Sequence, residues 1–350
     1  MLLLLWIFSA GFPGLVESFE LSPRTALKAG YRILDFKYQA DGKEITVTTA
    51  VWYPTLSKPK AHHYGGTTEG IVALNGELAE RSGPFPLLVF SHGYGGSGVG
   101  HSFLGEALAR RGWIVACPDH NDRYSAFRIR TGRPGDFDRT KFIKHAQEIA
   151  ASGPDSRVPY LYRLDEMKTV LNGMLESGTF GKLIDQNKIA VGGHSFGGYT
   201  ALGLCGAISE CLDSRIKAVL LYSSGASGYL FREAELASVR IPSMYFFGKR
   251  EREQKRGEKS MAQLAEKIFQ NLSPPKFLLE VKNANHFTFN SSLSDRFFAR
   301  VFLCGSEEQF ELLNRYSIAF LEKFVVGNHH AGSILERQDP LLISFRKVLP

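Results

Sequence analysis

The stretch Gly193-His194-Ser195-Phe196-Gly197 sets a serine between two glycines in the spacing G-x-S-x-G. Upstream, Lys188-Ile189-Ala190-Val191 is a short apolar run suited to a buried strand. Downstream, Tyr199-Thr200-Ala201-Leu202 is small and compatible with a helix. A serine at such a strand-to-helix turn is forced into a strained backbone conformation that projects its Oγ from the top of a sheet. Gly193 and Gly197 leave room where neighbouring backbones close in. The helix that follows turns its positive end toward any oxyanion that develops. The chemistry implied is nucleophilic attack by Ser195.

A serine hydroxyl is a weak nucleophile without a base. His286, in Asn283-Ala284-Asn285-His286-Phe287, lies just past the last expected strand, Lys276–Val281, and is the candidate base. His194, inside the serine turn, and His92 read instead as packing and hydrogen-bonding groups, and His62-His63 and His329-His330 as solvated loop residues. An acid should orient the base. Phe247-Gly248-Lys249-Arg250-Glu251 ends the preceding strand, so Glu251 is the candidate acid, with Glu253 close behind. Both glutamates are also open to a plainer reading as surface charges beside Arg250 and Arg252. The strand before that ends in Tyr222-Ser223-Ser224-Gly225, which offers no carboxylate. The chain order serine, acid, histidine is that of the α/β-hydrolase arrangement.

Charge developing on a substrate oxygen calls for two backbone donors. Pro86-Leu87-Leu88-Val89-Phe90 reads as a buried parallel strand, and it runs into Ser91-His92-Gly93-Tyr94-Gly95-Gly96-Ser97. The amide of Tyr94 in this glycine-rich loop and that of Phe196, directly after the nucleophile, are the expected oxyanion donors.

The elements that must position these groups follow in order. Residues 31–38 and 44–53 read as two strands joined at Asp41-Gly42, a strong hairpin turn. A polar loop is expected over 57–84. Beyond the oxyanion loop come a helix over 103–111, a strand over 113–117, and an irregular segment over 119–156 suited to a lid or rim. In that segment Asp119 and His120 read as residues that end the strand and shape the loop. A helix follows over 160–175, with Leu164, Met167, Val170 and Met174 on one side. Further strands are expected over 216–222, 241–247 and 276–281, and helices over 262–271 and 309–326. Alternating strands and helices predict an α/β fold: a mostly parallel central sheet with helices on both faces and an antiparallel N-terminal hairpin. The domain reading is a leader over 1–18, a catalytic unit over 28–327 and a C-terminal tail over 328–350.

Composition narrows the function classes. The 350 residues are 44% hydrophobic, enough for a full core. The net charge of +7 sits partly in Lys249-Arg250-Glu251-Arg252-Glu253-Gln254-Lys255-Arg256, where interleaved acids favour a solvated face over a nucleic-acid partner. The four cysteines include no CxxC pair, so no metal site is expected. Leu2-Leu3-Leu4-Leu5-Trp6-Ile7-Phe8 is too short to span a bilayer but resembles a signal-peptide core without its basic flank, which predicts export. Export would make Cys205 and Cys211 candidates for a local disulfide.

Four stretches carry a family likeness: Val51-Trp52-Tyr53-Pro54-Thr55, Phe90-Ser91-His92-Gly93-Tyr94-Gly95-Gly96, Ala116-Cys117-Pro118-Asp119-His120 and Gly192-Gly193-His194-Ser195-Phe196-Gly197-Gly198-Tyr199-Thr200-Ala201-Leu202. Together they resemble the α/β-hydrolase superfamily. More narrowly, they resemble the predicted dienelactone hydrolase group related to platelet-activating-factor acetylhydrolases and polyester hydrolases. The resemblance implies Ser195 as nucleophile, His286 as base, and Tyr94 and Phe196 as oxyanion donors. Two departures stand out. Dienelactone hydrolases proper use a cysteine nucleophile. Platelet-activating-factor acetylhydrolases carry their acid at the end of the strand after the nucleophile helix, where this chain has Ser223 or Ser224. The expectation is a serine hydrolase that cleaves a small-molecule or lipid-like carboxylic ester through an acyl-enzyme, with no cofactor. An acyltransferase or thioesterase with the same triad, or a non-catalytic binding protein on the same fold, are the alternatives.

Overall fold

The computed structural model describes residues 27–66, 68–256, 258–291 and 305–350. The expected leader over 1–18 lies outside the described residues. Strand β1 (Lys28–Ala40) pairs antiparallel with β2 (Lys43–Thr55). The turn between them sets Asp41 at φ 49° and Gly42 at φ 72°, both left-handed, as a two-residue hairpin requires. β3 (Lys60–Gly65) and β4 (Thr68–Leu74) follow, then β5 (Phe85–Ser91), β6 (Ile114–Pro118), β7 (Ile184–His194), β8 (Ile216–Tyr222), β9 (Ser243–Gly248), β10 (Lys276–Val281) and β11 (Leu342–Val348). Among the described residues these form one sheet in the order β11-β10-β9-β8-β7-β5-β6-β2-β1-β4-β3. The run from β6 through β5, β7, β8 and β9 to β10 is parallel, and β2 and β11 flank it antiparallel.

The helices are α1 (Ser102–Arg110), α2 (Arg139–Ala150), α3 (Tyr162–Glu176), α4 (Phe196–Leu202), α5 (Gly225–Leu230), α6 (Glu233–Ala237), α7 (Met261–Asn271) and α8 (Glu307–Leu321). The central strands are apolar along their length because both faces are covered. In β5, Leu87 and Val89 enter one core while Leu88 and Phe90 enter the other.

Four expectations are corrected. The segment over 57–84 is not only a loop: β3 and β4 extend the sheet beyond β1. Its strand signal is masked because the buried contacts are polar: the Tyr64 hydroxyl accepts from Trp52 Nε1 at 2.8 Å and donates to Glu106 at 3.0 Å. The irregular stretch over 119–156 contains α2, started by Asp138 accepting from the Thr140 and Lys141 amides. Of this helix only Ile149 is fully buried, so its apolar periodicity is faint. Residues 328–350 are not a tail, since β11 closes the sheet edge against β10. Cys205 and Cys211 are free thiols rather than a disulfide, and Cys205 is buried in the core.

Candidate active site

Ser195 sits at the junction of β7 and α4 with φ 55° and ψ −118°, a strained conformation for any side chain bearing a Cβ. Two features hold it there. Its amide donates to the carbonyl of Tyr222, at the end of β8, at 2.8 Å. The flanking backbones also close in. A Cβ on Gly193 would stand 2.1 Å from the Gly197 carbonyl oxygen, and one on Gly197 would stand 2.0 Å from that of Ser91. Gly197→Ala should therefore force strand and helix apart, at a cost of about 1–3 kcal/mol or more. A lowered urea midpoint would register it; an unchanged midpoint would mean the turn is not sterically locked.

His286 Nε2 lies 2.9 Å from Ser195 Oγ. The loop that carries it, just after β10, is pinned from several sides. The Arg250 amide donates to the Ala284 carbonyl, the Lys282 amide to that of Leu341, and the Phe287 amide to Asn285 Oδ1. His194 Nε2–H donates to the His286 carbonyl at 2.9 Å, and burial keeps His194 neutral by pushing its pKa well down. This matches the hydrogen-bonding role expected of His194.

Glu251 is fully buried at the end of the short turn after β9. Its Oε1 accepts from the Gly248 amide at 2.7 Å, and its Oε2 is 3.2 Å from His286 Nδ1. Glu253 points outward, with its side chain 85% exposed and paired with Arg252. Of the two glutamates weighed from sequence, Glu251 is the one the fold brings to the histidine. Ser223, which sequence reasoning set aside for lack of a carboxylate, also enters the site. Its Oγ lies 2.6 Å from Glu251 Oε2 and 2.6 Å from His286 Nδ1.

Tyr94 and Phe196 line the same cleft as Ser195 and His286. The cleft encloses about 460 Å³, and its walls include Phe142, Ile143, Ile149, Ala226 and Met261. The Tyr94 loop is braced from below by a pair missed in the sequence. Buried Arg163 of α3 meets Asp122 through two nitrogens, Nε at 2.9 Å and Nη2 at 2.7 Å. Its Nη1 donates to the His92 carbonyl at 2.8 Å, and its guanidinium stacks 4.7 Å over the Phe196 ring. Asp122 in turn accepts from the Gly95 amide at 2.7 Å. The sequence did hold a signal: Arg163 recurs with Met167, Val170 and Met174 on the apolar side of α3. A charge at that spacing is buried and must be paired.

His92 and His120 lie beneath the loop. His92 Nδ1–H donates to the Gly93 carbonyl and Nε2 accepts from the His120 amide; burial lowers both histidines well below their usual pKa. Asp119 accepts from Ser97 and from the amides of Gly98 and Ile129, as a loop-shaping residue should. Above the loop, the Tyr94 ring stacks on Phe142 and its hydroxyl bonds His145 Nδ1 at 2.8 Å, so α2 docks directly on the Tyr94 segment. Among the described residues no cluster of histidine, cysteine or carboxylate side chains is arranged to hold a metal ion. No helix among them is long and apolar enough to cross a membrane.

Residues 56–136 match the family model described as platelet-activating factor acetylhydrolase, isoform II. The chain is 25% identical over 284 residues to a platelet-activating factor acetylhydrolase of Cavia porcellus, covering 74% of this chain and 62% of that protein. It is 27% identical over 272 residues to the protein of the same name from Canis lupus familiaris, covering 68% of this chain and 57% of the relative. The chain thus spans less than two thirds of the length of either relative. Among solved structures, a ferulic acid esterase from Streptomyces cinnamoneus superposes with a TM-score of 0.66 at 20% identity, over 93% of this chain and 95% of that one. The chain has an α/β-hydrolase fold and is similar in sequence to the platelet-activating factor acetylhydrolases.

Proposed function

We propose that the protein is a serine hydrolase of carboxylic esters. The observation that carries this reading is the 2.9 Å contact from His286 Nε2 to Ser195 Oγ, backed by a fully buried Glu251. Names of the relatives, acetylhydrolase and esterase, support the same reaction class.

Ser195 Oγ attacks the ester carbonyl carbon while its proton passes to His286 Nε2. The amides of Tyr94 and Phe196 hold the resulting oxyanion, each donor worth about 3 kcal/mol by analogy with measured oxyanion holes. As the tetrahedral intermediate collapses, the C–O bond to the alcohol breaks, and His286 gives its proton to the leaving oxygen. Water then attacks the acyl-enzyme, losing a proton to His286. The second collapse returns that proton to Ser195 and frees the carboxylic acid. Glu251 stays ionised throughout and compensates the imidazolium.

Apolar walls and an exposed Phe287 at the mouth of the cleft favour an ester with an apolar portion, small or lipid-like. The test is hydrolysis of p-nitrophenyl esters from acetyl to palmitoyl. Turnover is expected, with a maximum at the acyl length the cleft accommodates. Absence of turnover across the whole series would favour the non-catalytic binding protein.

A further inference from the structure

We infer that Ser223 is a positioning residue of the same site: it links His286 to Glu251 and fixes the tautomer of the base. The inference rests on the assignment of Ser195 and His286 above. The shortest contact of His286 Nδ1 is to Ser223 Oγ, 2.6 Å, against 3.2 Å to Glu251 Oε2. Ser223 Oγ is itself 2.6 Å from that same carboxylate oxygen.

A hydroxyl has one proton, and an ionised carboxylate can only accept. Ser223 therefore donates to Glu251 and accepts from Nδ1–H. The proton of a neutral His286 is thereby held at Nδ1, and the Nε2 lone pair is left facing Ser195 Oγ. When Nε2 takes the serine proton, the positive charge is met through Nδ1–H···Oγ and Oγ–H···Oε2. No further proton moves, and Glu251 remains a carboxylate.

The backbone supports a selected role. Ser223 is fully buried with φ 44°, a left-handed conformation that a residue with a Cβ adopts at a cost. Glycine would relieve that strain, so the hydroxyl is kept where the backbone favours its removal. The amide of Ser223 donates to the Phe246 carbonyl at 2.7 Å, fixing the residue between β8 and β9, the strands that carry the nucleophile's anchor and the acid.

The test uses p-nitrophenyl butyrate turnover and covalent labelling by a fluorophosphonate, in which the Ser195 Oγ–P bond forms and fluoride leaves. Ser223→Gly suits the backbone and removes only the hydroxymethyl group. It is expected to fold, to keep KM, and to lose roughly ten- to hundredfold in kcat and in labelling rate, as for a lost charge-assisted hydrogen bond. A second arm asks whether a carboxylate at this place reaches the base. Glu251→Ala vacates the acid's volume, and Ser223→Asp in that background should regain at least about tenfold of the lost labelling rate. Aspartate is among the residues best tolerated at positive φ.

Labelling of Ser223→Gly at the wild-type rate overturns the inference, as does a loss confined to KM. If Ser223→Gly does not fold, the carboxylate arm decides, and no gain over Glu251→Ala overturns the inference. A wild type that does not label, or a Ser195→Ala variant that labels equally, overturns the hydrolase reading instead. The two failures are thus told apart.

Discussion

Ser195→Ala is expected to lower kcat for ester hydrolysis at least about 10⁴-fold while leaving the fold intact. The size follows from the unit character of nucleophile and base: once Oγ is gone, only binding and the oxyanion donors remain to accelerate attack by water. Preservation of the fold follows from geometry. Alanine has the same Cβ as serine, so the strain at φ 55° is unchanged. The amide bond to Tyr222 does not involve the side chain. Steady-state hydrolysis alongside thermal melting separates the two effects. Substantial turnover by Ser195→Ala would remove Ser195 as the nucleophile. His286→Ala in the Ser195→Ala background should cost little more, because the two groups act on one step.

The second large effect is structural. Asp122→Asn is expected to destabilise the protein by about 3–5 kcal/mol at neutral pH, the usual cost of leaving one member of a buried ion pair without its counter-charge. Burial alone would raise the Asp122 carboxyl, but the Arg163 guanidinium beside it holds it well below the usual carboxylate range. A folded-state pKa below the unfolded one means that the contribution is fully present above the unfolded value, roughly pH 4, and is lost as the pH falls. The gap between wild type and Asp122→Asn should therefore narrow below about pH 4. Urea unfolding at pH 7 and again at pH 3 reads this directly. Equal midpoints at pH 7 would show that the pair does not hold the fold. Hydrolysis should fall as well, since Asp122 anchors the Gly95 amide and Arg163 the His92 carbonyl, on either side of Tyr94.

Ser195 and Asp122 mark where the sequence was legible and where it was not. Motif spacing led to Ser195, His286 and the loop carrying Tyr94, which the fold brings to one cleft, because the proposed chemistry restricts residue type and order along the chain. The parallel strands were legible because burial on both faces leaves them continuously apolar. Two kinds of feature escaped. Elements at or next to the sheet edges, such as β3, β4 and β11, mix charge into their pattern: Lys347 and Arg346 sit within β11 itself. Pairs such as Arg163 with Asp122 join residues 41 positions apart, and neither residue alone announces its partner. Ser223 was passed over for a different reason. A carboxylate was sought at the end of β8, whereas the fold supplies the carboxylate from β9 and a hydroxyl from β8.

β11 has a consequence for genetics. It forms the outer edge beside β10, and the Leu341 carbonyl, one residue before it, receives the Lys282 amide at the root of the His286 loop. A stop codon that deletes residues from Leu341 onward would spare Ser195, Glu251 and His286. It would nevertheless bare the hydrogen-bonding edge of the strand leading to His286, an edge prone to pairing with other chains. Such an allele would behave as a loss of function with no lesion in the active site, and its product would be found in the insoluble fraction.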